Sequence, residues 1–99
     1  MVRIEHRISL RHLRLLDAVE REGSLARAAE RLNMTQSAVT KSLQEVEALT
    51  GVPLFKRTNR GATATAYGQM LVGHARAVIA QLRRASRELD AWKEGHGSV

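Results

Sequence analysis

The chain of 99 residues contains no cysteine, and Pro53 is its only proline. The lack of cysteine excludes disulfides, thiolate zinc sites and cysteine nucleophiles. Aromatic residues make up only 3% of the chain, which argues against an RNA-binding sheet that stacks bases on aromatic rings. No apolar run approaches the roughly 20 residues of a membrane-spanning helix, and no secretion signal is recognisable at the N-terminus. We therefore expect a soluble, intracellular protein.

Acidic residues are missing from a long stretch, between Glu47 and Glu88. The basic residues within that stretch are Lys56, Arg57, Arg60, Arg76, Arg83, Arg84 and Arg87. Over the whole chain, 16 Lys and Arg stand against 10 Asp and Glu, which gives a formal net charge of +6. This excess predicts a polyanionic partner, either nucleic acid or an anionic membrane surface.

The whole chain is long enough for one domain rather than two. Three helices are predicted in its first half. Ser9 is a good N-cap for the first helix, which we expect to end near Gly23 because glycine readily adopts the left-handed conformation that closes helices. Ser24 and Thr35 are similar caps for the second and third helices. The third helix should end near Gly51.

The periodicity changes after the third helix. Residues 54–57 predict a short strand, residues 58–61 a turn, and residues 62–64 a weak return strand. Thr65 can cap a last helix that runs to about Glu94, which would be about 42 Å long. The predicted fold class is mainly α, with three helices and a β-hairpin wing in a winged helix-turn-helix, followed by a long dimerisation helix.

These elements divide the chain into four segments. Residues 1–8 lack a clear period, and we expect a flexible basic arm there. Residues 9–64 form the predicted winged body, residues 65–94 the long helix, and residues 95–99 a frayed tail or the start of a linker.

The second and third helices, with a short break between them, have the layout of a helix-turn-helix, whose second member lies in the major groove of DNA. The outer face of that second member is polar and free of acidic residues. It carries Ser37, Thr40, Lys41 and Gln44, with Gln36 projecting from the first turn. Spacing alone fits the solvated face of an ordinary helical bundle equally well. The basic hairpin that follows favours DNA binding.

The hairpin carries Lys56, Arg57 and Arg60 around a glycine turn. An arginine at a hairpin tip can enter a narrow minor groove, where the negative potential is enhanced. We expect this role for Arg60, and phosphate contact for Lys56 and Arg57. The alternative is a strand edge that charge protects from aggregation.

The last helix has apolar residues at alternating steps of four and three, the pattern of a coiled-coil seam. They are Leu71, Ala75, Val78, Leu82, Ala85, Leu89 and Trp92. Val72 and Ile79 add a flanking stripe that can pack on the winged body. Because a body this small cannot cover so long a helix, we expect a partner helix. The alternative is a single helix that lies on its own domain.

Nothing in the chain indicates an active site, a metal centre or a cofactor. The four histidines lack metal-ligand spacing with carboxylates, and Ser24 and Thr65 are better explained as helix caps than as nucleophiles. We therefore expect no enzymatic activity.

Several blocks resemble the N-terminal DNA-binding domain of LysR-type transcriptional regulators, in the family's order and spacing. The blocks are residues 23–33, 35–40, 54–57, 60–61, 65–68 and 74–76. The resemblance spans about residues 8–93. It implies a homodimer, paired through antiparallel linker helices, that binds interrupted palindromes in double-stranded promoter DNA. The implied location is the cytoplasm, at the bacterial nucleoid. It also implies a small-molecule inducer bound by a C-terminal domain that would follow this chain, and tetramers in the full-length protein.

The family's base-reading positions fall on Gln36, Ser37, Thr40 and Lys41. The predicted contacts to the DNA backbone or minor groove fall on Ser24, Thr35, Gln44, Lys56, Arg57 and Arg60. Ser37 stands where the family often has proline, Lys41 where it often has arginine, and Ala64 and Tyr67 replace the commoner leucine and alanine. Lysine lacks the bidentate fork that arginine offers to guanine, so the site preference of relatives does not transfer.

Two rival functions remain at this point. An architectural DNA-binding protein without sequence preference would share the charge but lack a polar, acid-free face on the third helix. A helical adaptor between proteins would use the seam and show no affinity for DNA.

Overall fold

A computed structural model describes residues 3–96. They form a 3-10 turn at Ile4–His6, helices α1 at Leu10–Glu22, α2 at Leu25–Leu32 and α3 at Gln36–Thr50, strands β1 at Phe55–Thr58 and β2 at Gly61–Ala64, and helix α4 at Ala66–His96. The predicted fold class is confirmed. The expected tail begins as a continuation of α4, and its last three residues lie outside the described residues. Within the described range, no helix is long and apolar enough to cross a membrane.

The predicted helix ends are confirmed by their capping geometry. The hydroxyl oxygens of Ser9, Ser24 and Thr35 accept backbone N–H groups three residues ahead, at 3.2, 3.2 and 3.1 Å. Gly23 and Gly51 close α1 and α3 in the left-handed conformation, with φ of 68° and 75°. Caps of this kind satisfy backbone groups that a helix end otherwise leaves unpaired.

The core of the molecule lies between α1, α2 and α3, with the start of α4 closing one side. The largest fully buried side chains are Leu15, Leu16, Val19, Val39, Val46 and Leu54. Each such side chain stabilises the fold by about 1.5–3 kcal/mol relative to an exposed position. Leu13, Leu16, Ala29, Val39 and Leu43 are buried as well.

The N-terminal segment differs from the expected flexible arm. Ile8 donates its N–H to the carbonyl oxygen of Ile4 at 2.7 Å, and both isoleucines pack against the core. The prediction for residues 1–8 is therefore wrong over residues 4–8, because two apolar side chains are enough to dock a short turn. Residues 1 and 2 lie outside the described residues.

The hairpin of β1 and β2, called the wing below, pairs Phe55 with Ala64 and Thr58 with Gly61 in antiparallel register. β1 lies one residue later than predicted, whereas β2 begins one residue earlier and ends at the predicted residue. At the other end of the hairpin, the start of β1 is held by Glu47 of α3. One Glu47 carboxylate oxygen accepts the N–H groups of Leu54 at 2.7 Å and Phe55 at 3.3 Å.

Helix α4 is docked on the body over its first half only. Gly68 lies against the carbonyl oxygen of Leu54 so closely that an added Cβ would overlap it. Val72 and Ile79 are buried against the body, as predicted, whereas every residue from Ala80 to Gly95 is exposed.

The predicted dimer seam is wrong at its first two positions. Leu71 is 8% exposed and Ala75 is fully buried within its own chain, so neither offers a surface to a second copy. The helical periodicity could not distinguish these two residues from the stripe that packs on the body. The predicted seam and that stripe are adjacent on the surface of α4. The remaining seam residues are exposed: Val78, Leu82, Ala85, Leu89 and Trp92.

Candidate nucleic-acid interface

The connection between α2 and α3 is a tight turn. Asn33 closes α2 in the left-handed conformation with φ of 60°, and Met34 donates its N–H to the carbonyl oxygen of Ala29 at 2.9 Å. Ala28 and Ala29 are buried, and their small side chains let α3 approach α2 closely. The orientation of α3 relative to α2 is therefore fixed by backbone contacts rather than by long side chains.

The outer face of α3 is polar, as predicted. Gln36, Ser37, Lys41 and Gln44 are exposed, whereas Thr40 is half-buried. On the opposite side, Val39, Leu43 and Val46 pack into the core. The first nine residues of α3 include no carboxylate. This face can donate and accept hydrogen bonds at base edges without repelling a polyanion.

The N-termini of α2 and α3 both carry a hydroxyl cap. Ser24 and Thr35 use a lone pair of the hydroxyl oxygen to accept a backbone N–H, which leaves the hydroxyl hydrogen available to a phosphate oxygen. A helix N-terminus also has a positive dipole end that favours anions. Capping and phosphate contact are therefore compatible roles for these two residues.

A groove of about 550 Å³ separates the wing from the starts of α2 and α3. Its walls include Ser24 and Gln36 from the helices, and Arg57 and Asn59 from the wing. Three of the predicted contact residues are thus brought together by the fold. Because successive strand residues point to opposite faces, Lys56 points away from the side on which Arg57 lines the groove.

The wing tip has a fixed backbone and an exposed arginine. The N–H of Arg60 donates to the Thr58 hydroxyl oxygen at 3.1 Å, and the residue itself is exposed. None of the ion pairs within residues 3–96 involves Lys41, Arg57 or Arg60. Their positive charges are therefore available to an anionic partner.

One predicted contributor to the positive field is neutralised inside the molecule. Arg76 of α4 donates from Nε to Oδ1 of Asp17 in α1 at 2.7 Å, and Arg21 donates to the same carboxylate at 3.0 Å. Burial raises the pKa of Asp17, but the hydrogen bonds from Arg76 and then Arg21 outweigh it and hold that pKa below its ordinary 3.8. Arg76 therefore fastens α4 to the body.

One contact that sequence reasoning missed is made by Glu47. Its side chain lies at the end of α3, where a carboxylate is unfavourable beside the negative end of the helix dipole. A carboxylate at this unfavourable position was the signal in the sequence that Glu47 has a specific partner. That partner is the backbone at the start of β1. It holds the wing at a fixed distance from α3.

Comparison with known proteins agrees with this architecture. A family model described as "Bacterial regulatory helix-turn-helix protein, lysR family" matches residues 10–69. The HTH-type transcriptional regulator GbpR of Rhizobium radiobacter is 42% identical over 88 residues, covering 87% of this chain and 29% of that protein. YdcI of Escherichia coli K12, also an HTH-type transcriptional regulator, is 46% identical over 89 residues, covering 90% of this chain and 29% of that protein.

Two solved structures carry the same fold together with DNA. The CbnR DNA-binding domain in its DNA complex has a TM-score of 0.78 at 33% identity, covering 85% of this chain and 97% of that one. The BenM DNA-binding domain with catB site 1 DNA has a TM-score of 0.82 at 26% identity, covering 86% of this chain and 94% of that one. The family model spans more than half of the chain, and the fold, turn and wing all agree with it. The chain belongs to the LysR family of bacterial regulatory helix-turn-helix proteins.

Proposed function

We propose that this chain binds double-stranded DNA sequence-specifically, with α3 in the major groove and the wing on the backbone or in the adjacent minor groove. The observation that carries the proposal is the acid-free polar face of α3, which adjoins a groove walled by Arg57 of the wing. The DNA complexes of the CbnR and BenM domains support it, since both share this fold.

The roles of individual residues follow from exposure and chemistry. The proposed base contacts are Gln36, Ser37, Thr40 and Lys41. The proposed contacts to phosphates or the minor groove are Ser24, Thr35, Gln44, Lys56, Arg57 and Arg60. Thr40 is half-buried, so its contribution is limited to the part of its side chain that remains outside the core.

The active species in this proposal is a homodimer formed through the exposed half of α4. Leu82, Leu89 and Trp92 are 46%, 62% and 68% exposed, and with Val78 and Ala85 they form one apolar stripe. Contiguous exposed apolar surface of this kind marks interaction sites. A two-fold pairing of these helices would present two copies of α3 to the two halves of a palindrome.

The chain spans about 29% of the length of the curated relatives that it matches. Its role in a longer protein is therefore part of the proposal. We infer a transcription regulator that acts in the cytoplasm, with a small-molecule inducer bound by a C-terminal domain and with tetramers built from the dimer.

Selection from a pool of random duplexes, followed by sequencing, tests this function. The expected result is enrichment of an inverted repeat whose two halves are separated by about one helical turn or a multiple of it. Binding without enrichment would assign the chain to architectural proteins. If the chain binds no duplex even at low salt, the remaining function is that of a helical adaptor between proteins.

A further inference from the structure

The base of the wing is attached to α3 by a single side chain. Glu47 extends from the last turn of α3, and one of its carboxylate oxygens accepts the N–H groups of Leu54 and Phe55 at 2.7 and 3.3 Å. Within residues 3–96, no other hydrogen bond joins α3 to residues 54–64. Because the acceptor is ionised, these bonds are stronger than bonds between neutral groups.

A second attachment lies further along the wing. Ala62 of β2 donates its N–H to the carbonyl oxygen of Gly23, which immediately precedes the cap of α2. Across the hairpin, Ala62 is paired with Arg57 of β1. Arg57 therefore lies between two attachments, one to α3 at the base of the wing and one to the start of α2.

The attachment to α3 determines where Arg57 lies beside that helix. Phe55 and Arg57 are two residues apart in β1, so their side chains share one face of the strand, about 7 Å apart along it. Phe55 is buried in the core, whereas Arg57 is exposed and lines the groove that also contains Gln36. A shift of the Phe55 backbone relative to α3 would therefore move the guanidinium of Arg57 relative to the polar face of α3.

We propose that Glu47 is a positioning residue for the wing, an inference that rests on the DNA binding proposed above. Through the backbone of β1, it sets where Arg57 meets the DNA while α3 lies in the major groove. The affinity that the wing contributes therefore depends on a residue outside the proposed contact set. Because the attachment runs to α3, the substitution of Glu47 and the substitution of Arg57 have coupled effects on DNA binding.

Glu47 has two simpler roles that an experiment has to separate from this one. A carboxylate that merely repels phosphates would weaken binding to every sequence, so its neutralisation would strengthen binding. A carboxylate that merely stabilises the fold would leave the affinity of the folded protein unchanged.

Two conservative substitutions distinguish the position of the acceptor from its charge. Glu47→Gln removes the charge but keeps an oxygen that can accept the same N–H groups. Glu47→Asp keeps the charge but shortens the side chain by one methylene, which moves the oxygens away from the strand. Circular dichroism shows that a variant has kept its helices before its affinity is compared.

Amide hydrogen exchange in the DNA-free protein tests the attachment itself. The amides of Leu54 and Phe55 should exchange about tenfold faster in Glu47→Asp than in the wild type, because each loses its acceptor. In Glu47→Gln they should stay close to the wild-type rates. The Ala62 amide is the internal reference, since its acceptor is the Gly23 carbonyl, and it should stay protected in both variants.

Affinity for the selected duplex tests the consequence for DNA binding. Arg57→Ala should weaken binding about tenfold in the wild-type background, because it removes a charge-assisted contact. In the Glu47→Asp background, the same substitution should change the affinity by less than about twofold. In the Glu47→Gln background, most of the tenfold loss should return. Glu45→Asp is the matched control, because Glu45 also lies on α3 but faces His12 of α1 at 3.6 Å.

Several results would overturn the inference. Unchanged exchange of Leu54 and Phe55 in Glu47→Asp would refute the attachment. Equal losses from Arg57→Ala with and without Glu47→Asp would show that the wing is positioned independently of Glu47, while the proposed DNA binding stands. Tighter binding of Glu47→Gln with unchanged binding of Glu47→Asp would assign Glu47 a repulsive charge. A wild-type chain that binds no duplex would refute the proposed function and the inference together.

Discussion

Ala62 in the wing donates its N–H to the carbonyl oxygen of Gly23 at 2.8 Å, which fastens the wing to the loop that precedes α2. Neighbouring Gly61 approaches the same carbonyl so closely that an added Cβ would overlap it, and its φ of 131° suits only glycine. The groove between the wing and the helices therefore owes its width to a contact between two backbone segments.

Gly61→Ala should lower the free energy of unfolding by about 1–3 kcal/mol, because it combines backbone strain with a steric overlap. It should also weaken DNA binding by displacing Arg57. Urea unfolding and fluorescence anisotropy measure the two effects. Gly73→Ala is the control: an added Cβ there meets nothing within 4 Å, so this helical substitution should stabilise by about 0.5–1 kcal/mol. Equal effects of the two substitutions would contradict the proposed role of Gly61.

Gln36→Ala should cost about 1–3 kcal/mol on the selected duplex and little on random DNA, because it removes hydrogen bonds to base edges. Thr40→Ala should have a smaller effect of the same kind, since Thr40 is half-buried. Competition binding measures both. Gln69→Ala, an exposed glutamine on α4, serves as the control. Equal losses on selected and random DNA would assign Gln36 to phosphate contact instead.

Arg60→Ala should weaken binding and reduce the slope of log affinity against log salt by about 1 for each phosphate that the arginine no longer neutralises. If Arg60 enters a minor groove, the loss of affinity should be larger beside A·T-rich than G·C-rich flanks. Titrations at several salt concentrations supply the slope. The control is Arg83→Ala, on the half of α4 outside the body. An unchanged affinity and slope for Arg60→Ala would favour the alternative role, in which the charge of Arg60 protects the strand edge from aggregation.

The stability of the body should depend on pH through Asp17. Because its pKa is lower folded than unfolded, the contribution of Asp17 is fully present above the ordinary value of 3.8 and is lost as pH falls through the folded pKa. Asp17→Asn should cost about 1 kcal/mol or less near neutral pH, since both arginines are more than two-fifths exposed. Urea unfolding from pH 7 to 2 should show the two proteins converging in acid. A difference that stays constant would contradict this linkage.

Local signals in the sequence predicted most of the fold. Ser9, Ser24 and Thr35 mark helix starts, and Gly23 and Gly51 mark helix ends, because a cap is formed by residues close together in the chain. The polar face of α3 followed from helical geometry alone.

Contacts between distant segments could not be predicted in the same way. The docking of Ile4, the bond from Glu47 to Leu54 and the pairing of Asp17 with Arg76 depend on which surfaces meet after folding. The prediction that Leu71 lies in the dimer seam was wrong for the same reason. One apolar periodicity along α4 includes both the residues that pack on the body and those of the exposed stripe.

Binding of wild type and Leu82→Glu to duplexes with two half-sites, one half-site or a scrambled site tests the central claim most directly. Leu82 is 46% exposed in the single chain, so the variant should stay helical by circular dichroism while its two-fold interface is broken by charge. Ala80→Glu, which points away from the stripe, is the control. We predict that wild type and Ala80→Glu prefer two half-sites strongly, and that Leu82→Glu binds one and two half-sites with equal, weak affinity. Equal affinity of the wild-type protein for the selected and scrambled duplexes would contradict a sequence-specific dimer.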